Sequence, residues 1–98
     1  MKLRIHRLAV AEIDHEVDFY EARHPGLGAE LENEVDKTFQ RILLFPESIP
    51  QWESRSHRWV AVLVLFPFTI PYQIDGDEIV VLALAHASRR PGYWSRRR

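Results

Sequence analysis

Cysteine is absent from the 98 residues of this sequence. That excludes a disulfide framework, a thiolate zinc site and a cysteine nucleophile, and it suits a reducing compartment such as the cytoplasm. Long apolar runs are missing as well, none approaching the roughly 20 residues that span a bilayer. Met1 to Arg7 alternates charged and apolar residues and so lacks the apolar core of a secretory signal. Neither membrane association nor export is expected. Lysine is scarce: Lys2 and Lys37 both lie in the first half, which leaves the second half with arginine and histidine as its cations. There is no internal repeat, low-complexity tract or linker. A second core would have nothing to fill it at this length, so residues 1–98 are expected to form one domain.

What is present balances toward an ordinary globular chain, with 46% hydrophobic and 28% charged residues. The net charge of −1 conceals a split. Residues 1–53 carry six Lys/Arg against eleven Asp/Glu, or −5, whereas residues 54–98 carry seven against three, or +4. A basic C-terminal surface that meets something acidic is one reading; a folded dipole without a partner is the other.

The hydrophobic pattern sets the elements. Lys2 to Leu8 alternates with period two and predicts a short strand. From Ala9 the period changes, and Ala9, Ile13, Val17 and Tyr20 share one helical stripe that stops before Pro25-Gly26. Leu27, Leu31, Val35, Phe39, Ile42 and Leu43 predict a second helix from about Leu27 to Phe45, closed by Pro46. In the second half, Arg58 to Phe66 and Ile79 to Ala85 are nearly unbroken apolar runs, the pattern of strands near the centre of a sheet. Between them Phe68, Ile70, Tyr72 and Ile74 alternate with polar positions, and Asp75-Gly76-Asp77 supplies a hairpin turn. Pro67 and Pro71 remove two N–H groups from one side of that strand, so it is expected either at an edge or bulged at Pro71. The expected fold is α+β: one strand, a helical hairpin, then a three-stranded antiparallel meander with both helices on one face.

Several of these residues, in this order, resemble the RelE/ParE toxin superfamily. They are Tyr20, Pro25-Gly26-Leu27-Gly28, Pro46, Arg58, Phe66-Pro67-Phe68, Tyr72, Asp75-Gly76-Asp77, Ala85-His86 and the ending Arg90-Pro91-Gly92-Tyr93-Trp94. The chain is most similar to the ParE-like plasmid-stabilisation branch. The resemblance implies a small toxin neutralised by the extended C-terminal segment of a cognate antitoxin. It also implies one of two activities: inhibition of DNA gyrase by binding, as in ParE-like members, or cleavage of messenger RNA on the ribosome, as in RelE-like members. A degenerate, non-toxic antitoxin-binding module is a third possibility. No cofactor is implied.

A metal-independent ribonuclease needs a base, an acid and cations facing the phosphate. Without a lysine in the meander, such a site would have to be assembled from His86, Arg58, Arg90 (or Arg89) and Tyr93. That weighs against an enzyme. The competing readings are structural: His86 as a hydrogen-bonded strand end, Arg58 as a strand-start cation paired with a helix carboxylate, and Tyr93 and Trp94 as aromatics that fold the tail over the sheet. For a binding toxin, the residues expected to meet target or antitoxin are Arg58, Phe68, Tyr72, Arg89, Arg90, Trp94 and Arg96. Phe68 stands where the family more often has tyrosine, and Pro71 interrupts a strand that is usually regular. The helix carboxylates, including Glu12/Glu16 and Glu30/Glu34, are read as a solvated face, since no His or Cys at i+4 completes a metal set.

Overall fold

A computed structural model describes residues 1–49 and 57–98. The elements run β1 (Lys2–Ile5), α1 (Arg7–Arg23), α2 (Leu27–Leu44), β2 (Arg58–Val62), β3 (Phe68–Asp75), β4 (Glu78–Val81) and β5 (Ala85–His86). The strand order is β1-β4-β3-β2, with β1 parallel to β4 and the other pairings antiparallel. The α+β architecture expected from the pattern is the one observed.

The helical hairpin closes through its turn residues. Gly26 sits at φ 92°, a left-handed conformation that glycine adopts without steric cost. Its N–H and that of Gly28 both donate to the Glu21 carboxylate, at 2.9 and 3.0 Å. Glu21 thereby satisfies two of the donors that the start of α2 would otherwise leave unpaired. Gly28 lets the helices approach closely, because a Cβ there would meet the Val17 carbonyl oxygen at 2.6 Å. Ala9 on α1 and Leu31, Val35 and Ile42 on α2 reach the core, as their spacing predicts.

On the sheet the structure corrects three expectations. β2 is an edge strand and ends at Val62, so that Val64 and Leu65 are 78% and 76% exposed rather than buried at the sheet centre. The side-chain carboxylate of Glu34 takes their two N–H groups, at 2.7 and 3.2 Å. β3 holds the central position instead, prolines included. The apolar run Ile79 to Ala85 is not one strand. Tyr72 pairs with Val81 and Thr69 with Ala85, so Ile70 and Pro71 face three residues, Leu82, Ala83 and Leu84. That extra residue is a β-bulge, placed on the strand opposite Pro71.

The bulge has a backbone cause and a side-chain result. The Pro71 carbonyl accepts the Leu82 N–H at 2.8 Å, and the Pro67 carbonyl accepts that of Ala87 at 2.8 Å, so both prolines direct their missing N–H toward β4 and β5. Side-chain alternation then slips by one. Ile79, Val81 and Leu84 join the core beneath the helices, whereas Val80, Leu82, Ala83 and Ala85 form a second cluster on the opposite face. Trp94, 3% exposed, covers that second face. The sheet is therefore enclosed by the helical hairpin on one side and by the C-terminal tail on the other.

Candidate functional site

Among the described residues, polar interactions concentrate where α1, the bulge and the tail meet. Pro71 cannot return a hydrogen bond to the Leu82 carbonyl, and Arg97 supplies it instead, with Nη1 2.9 Å from that oxygen. The same guanidinium donates to both oxygens of Glu12, at 2.8 and 3.1 Å. Glu12 also accepts the Leu84 N–H at 3.2 Å and the Tyr93 hydroxyl at 2.7 Å. The two partners are largely enclosed, with side chains 14% and 19% exposed. Charge-assisted, two-pronged pairs of this kind hold geometry as well as energy. Burial, reinforced by the hydrogen bond to Glu12, pushes the Tyr93 hydroxyl up to about 12.

Beside this cluster runs a groove of about 560 Å³. One wall is a stripe of α1 that includes Leu8, Glu12, His15 and Phe19, spaced three or four residues apart. Phe68 and Leu84 contribute apolar surface, and His86 and Arg89 border it from the β5 side. The bulge is what aims His86 here, since a strand without the extra residue would have turned it to the other face. Its ring lies edge-on to Phe68, with centroids 5.2 Å apart. Arg89 stacks over the Tyr93 ring at 3.9 Å. A smaller hollow of about 260 Å³ lies next to it, bordered by Arg89, Arg90 and Trp94.

A family model described as the ParE toxin of the type II toxin–antitoxin system parDE matches residues 3–91. The chain belongs to the ParE toxin family. It is thus the toxin component of a type II toxin–antitoxin system. Its fold resembles a solved structure described as the chromosomal ParDE TA system from P. aeruginosa, with a TM-score of 0.78 and 19% identity. That match covers 90% of this chain and 97% of the other. No curated protein matches the sequence. No helix among the described residues is long and apolar enough to cross a membrane.

Within this ParE fold the residues singled out in the sequence separate into groups. His86, Arg89, Arg90 and Tyr93 come together around the start of the tail. Arg58 does not join them: it pairs across the strands with Gln73, whereas His86 pairs with Phe68, five residues back along β3. At the rise of an extended strand this is on the order of 17 Å. Its Nε lies 3.5 Å from the Gln73 side-chain oxygen. Tyr72, expected at a contact surface, lies instead in the core at 0% exposure, stacked on Trp59, with its hydroxyl donating to the Pro46 carbonyl. Central placement of β3 is the reason, since the Tyr72 ring points under the helices. Burial pushes its hydroxyl up to about 12. Phe68 is 2% exposed and serves as groove floor. Arg90 and Arg96 are exposed on the tail.

Glu12 and Arg97 join the candidate site although neither stands out in the sequence, Glu12 as one of a run of helix carboxylates and Arg97 as one of the terminal arginines. Glu12 stands among carboxylates spaced two and four residues apart and reads like the rest of a solvated face. Its signal lay in its neighbours: Glu12 follows Ala9 by three residues, at the margin of the buried stripe, where a long side chain reaches back to the sheet.

Proposed function

We propose that this toxin acts by binding and not by catalysis, and that its cognate antitoxin silences it by laying a segment in the groove between α1 and β5. One observation carries this reading: of the groups that a ribonuclease would use, His86 Nδ1 and the Tyr93 hydroxyl are engaged within the fold and Arg58 is set apart from them. The Ser88 backbone N–H donates to His86 Nδ1 at 3.0 Å, and the Ser88 hydroxyl lies 2.7 Å from the same nitrogen, so the turn after β5 engages that side of the ring. The Tyr93 hydroxyl donates to Glu12, and Arg58 lies along the strand from both. The groove itself offers exposed apolar surface from Leu8 and Phe19 over a floor of Phe68 and Leu84, with cations at its border, which suits a peptide segment carrying apolar anchors and acidic residues. Exposed Arg90 and Arg96 on the tail, with Arg89, extend that cationic border.

By family resemblance the cellular target is DNA gyrase and the site of action the cytoplasm. The test is inducible expression of the wild type and of His86→Ala in a bacterium without the antitoxin, with growth, primer-extension mapping of messenger cleavage and a supercoiling assay as readouts. Growth arrest without messenger cuts, unchanged by the substitution and accompanied by blocked supercoiling, is the expected result. Ribosome-dependent cuts that disappear in His86→Ala would establish the RelE-like nuclease instead. No arrest at all would leave a degenerate antitoxin-binding module.

A further inference from the structure

We infer that residues 92–98 form a strap across the second face of the sheet, fastened at Glu12, which detaches as a unit while the helical hairpin and the sheet stay folded. Three observations lead there. The backbone hydrogen bonds of the strap are local: Tyr93 N–H to the Arg90 carbonyl, Ser95 N–H to that of Gly92, and Arg97 N–H to that of Trp94. Among the described residues no main-chain bond joins residues 92–98 to a strand. Among the described residues the attachment seen is by side chains: Trp94 and Tyr93 packed against the cluster of Val80, Leu82, Ala83 and Ala85, and the Tyr93 and Arg97 bonds to Glu12 and the Leu82 carbonyl.

The second observation is that the sheet does not need the strap for its own ladder. Leu82 N–H is held by Pro71 and Ala87 N–H by Pro67, and neither bond involves residues 92–98. The third is the fastening point itself. Pro71 leaves the Leu82 carbonyl without a strand donor, and that vacancy is what Arg97 fills while gripping Glu12. A break in the ladder has become the socket for the chain's end. Groups held this way open by local unfolding at a lower free energy than the core beneath them. Because Arg97 and Arg89 also border the groove, and Arg89 stacks on Tyr93, the strap carries part of the groove wall with it.

The test is amide hydrogen exchange by NMR on the full chain, comparing wild type with Glu12→Gln and Arg97→Ala. Glu16→Gln serves as the control, since Glu16 lies one turn away on the same helix face and its carboxylate contacts His15, at 4.0 Å, and not the strap. Loss of charge-assisted bonds worth about 1.5–3 kcal/mol corresponds to about tenfold to a hundredfold faster exchange at Ser95 and Arg97 in both variants. The amides of Leu31, Val35 and Ile42 should keep their wild-type rates, and the control should match wild type throughout. Unchanged rates at Ser95 and Arg97 would overturn the inference. So would acceleration of the α2 amides in step with the strap, or loss of the far-UV helix signal in both variants, because strap and fold would then be inseparable. None of these readouts uses the antitoxin, so the outcome is independent of the function proposed above.

Discussion

The two faces of the sheet are covered by different means. Under the helical hairpin, Leu31, Val35 and Ile42 from α2 and Ala9 from α1 meet Ile70, Tyr72, Ile79 and Val81 in one apolar cluster. On the opposite face, among the described residues, Trp94 is the buried residue of the tail, Tyr93 packs beside it, and directed bonds to Glu12 and the Leu82 carbonyl add to the hold. Area burial is non-directional and cooperative, whereas a few aligned bonds can be lost together without disturbing the core. The difference predicts where the molecule yields first.

The sharpest way to break that comparison is to truncate one side chain on each face. Ile42, fully buried on α2, should cost about 2–5 kcal/mol as Ile42→Ala and unfold the domain as a whole at lower denaturant. Trp94→Ala removes a larger side chain, yet its effect on the global midpoint should be the smaller one, limited to the docking free energy of the strap. Chemical denaturation followed by far-UV dichroism measures both. If Trp94→Ala lowers the midpoint as far as Ile42→Ala, the two faces form one cooperative core and the contrast fails.

A third substitution examines the helix-covered face alone. Gly28→Ala puts a methyl group within 2.6 Å of the Val17 carbonyl and 2.8 Å of the Glu21 Cβ, both parts of the opposing helix. Overpacking of that kind costs about 1–3 kcal/mol. The helices should part locally and Glu21 should lose its grip on the Gly26 and Gly28 N–H groups. A thermal midpoint equal to wild type would show that the hairpin accommodates the extra carbon.

Much of this fold was legible because it is written in periodicity. The stripes of α1 and α2, the meander order and the turn at Gly76 follow from local spacing, and the paired prolines announced an interruption near Pro71. What periodicity could not show was which strand lay at the edge. β2 reads as apolar on both sides, yet it borders the sheet, because central position depends on the order in which strands pair and not on any one strand's sequence. The site was legible in part. His86, Arg89, Arg90 and Tyr93 are neighbours in sequence and meet in space, but Glu12 and Arg97 are 85 residues apart and carry no local mark of each other.

The tyrosines offer a probe of each face. Tyr72 lies under the helices and Tyr93 at the strap, and burial is the first cause of the raised value, about 12, at both. A group whose folded pKa is raised above its unfolded value of about 10 stabilises the fold fully below pH 10. That stability is lost as the pH climbs from 10 toward 12, where the unfolded chain gives up its protons first. Spectrophotometric titration should show two late-ionising tyrosines. In Glu12→Gln, the Tyr93 transition should move toward 10 while that of Tyr72 stays in place. Movement of both together would mean that the strap and the helix-covered core open as one.

The smallest expected effect lies where the two regions touch. His6 caps α1, its Nδ1 accepting the Leu8 N–H at 3.1 Å. Burial and then the positive charges of Arg97, Arg7 and Arg4 hold its pKa below the usual 6.5, opposed by Glu12. The cap requires the unprotonated nitrogen, so its contribution is present above pH 6.5 and is lost as the pH falls through the lowered folded value. His6→Ala should cost about 0.5–1 kcal/mol at pH 8, and the gap to wild type should close in mild acid. A gap that widens toward acid would show that the imidazolium stabilises the fold and that the cap is not what matters. Arg97→Ala then joins this effect to the strap. With that cation removed, the His6 titration, followed by NMR, should move up toward 6.5, even though Arg97 is 91 positions away in the chain.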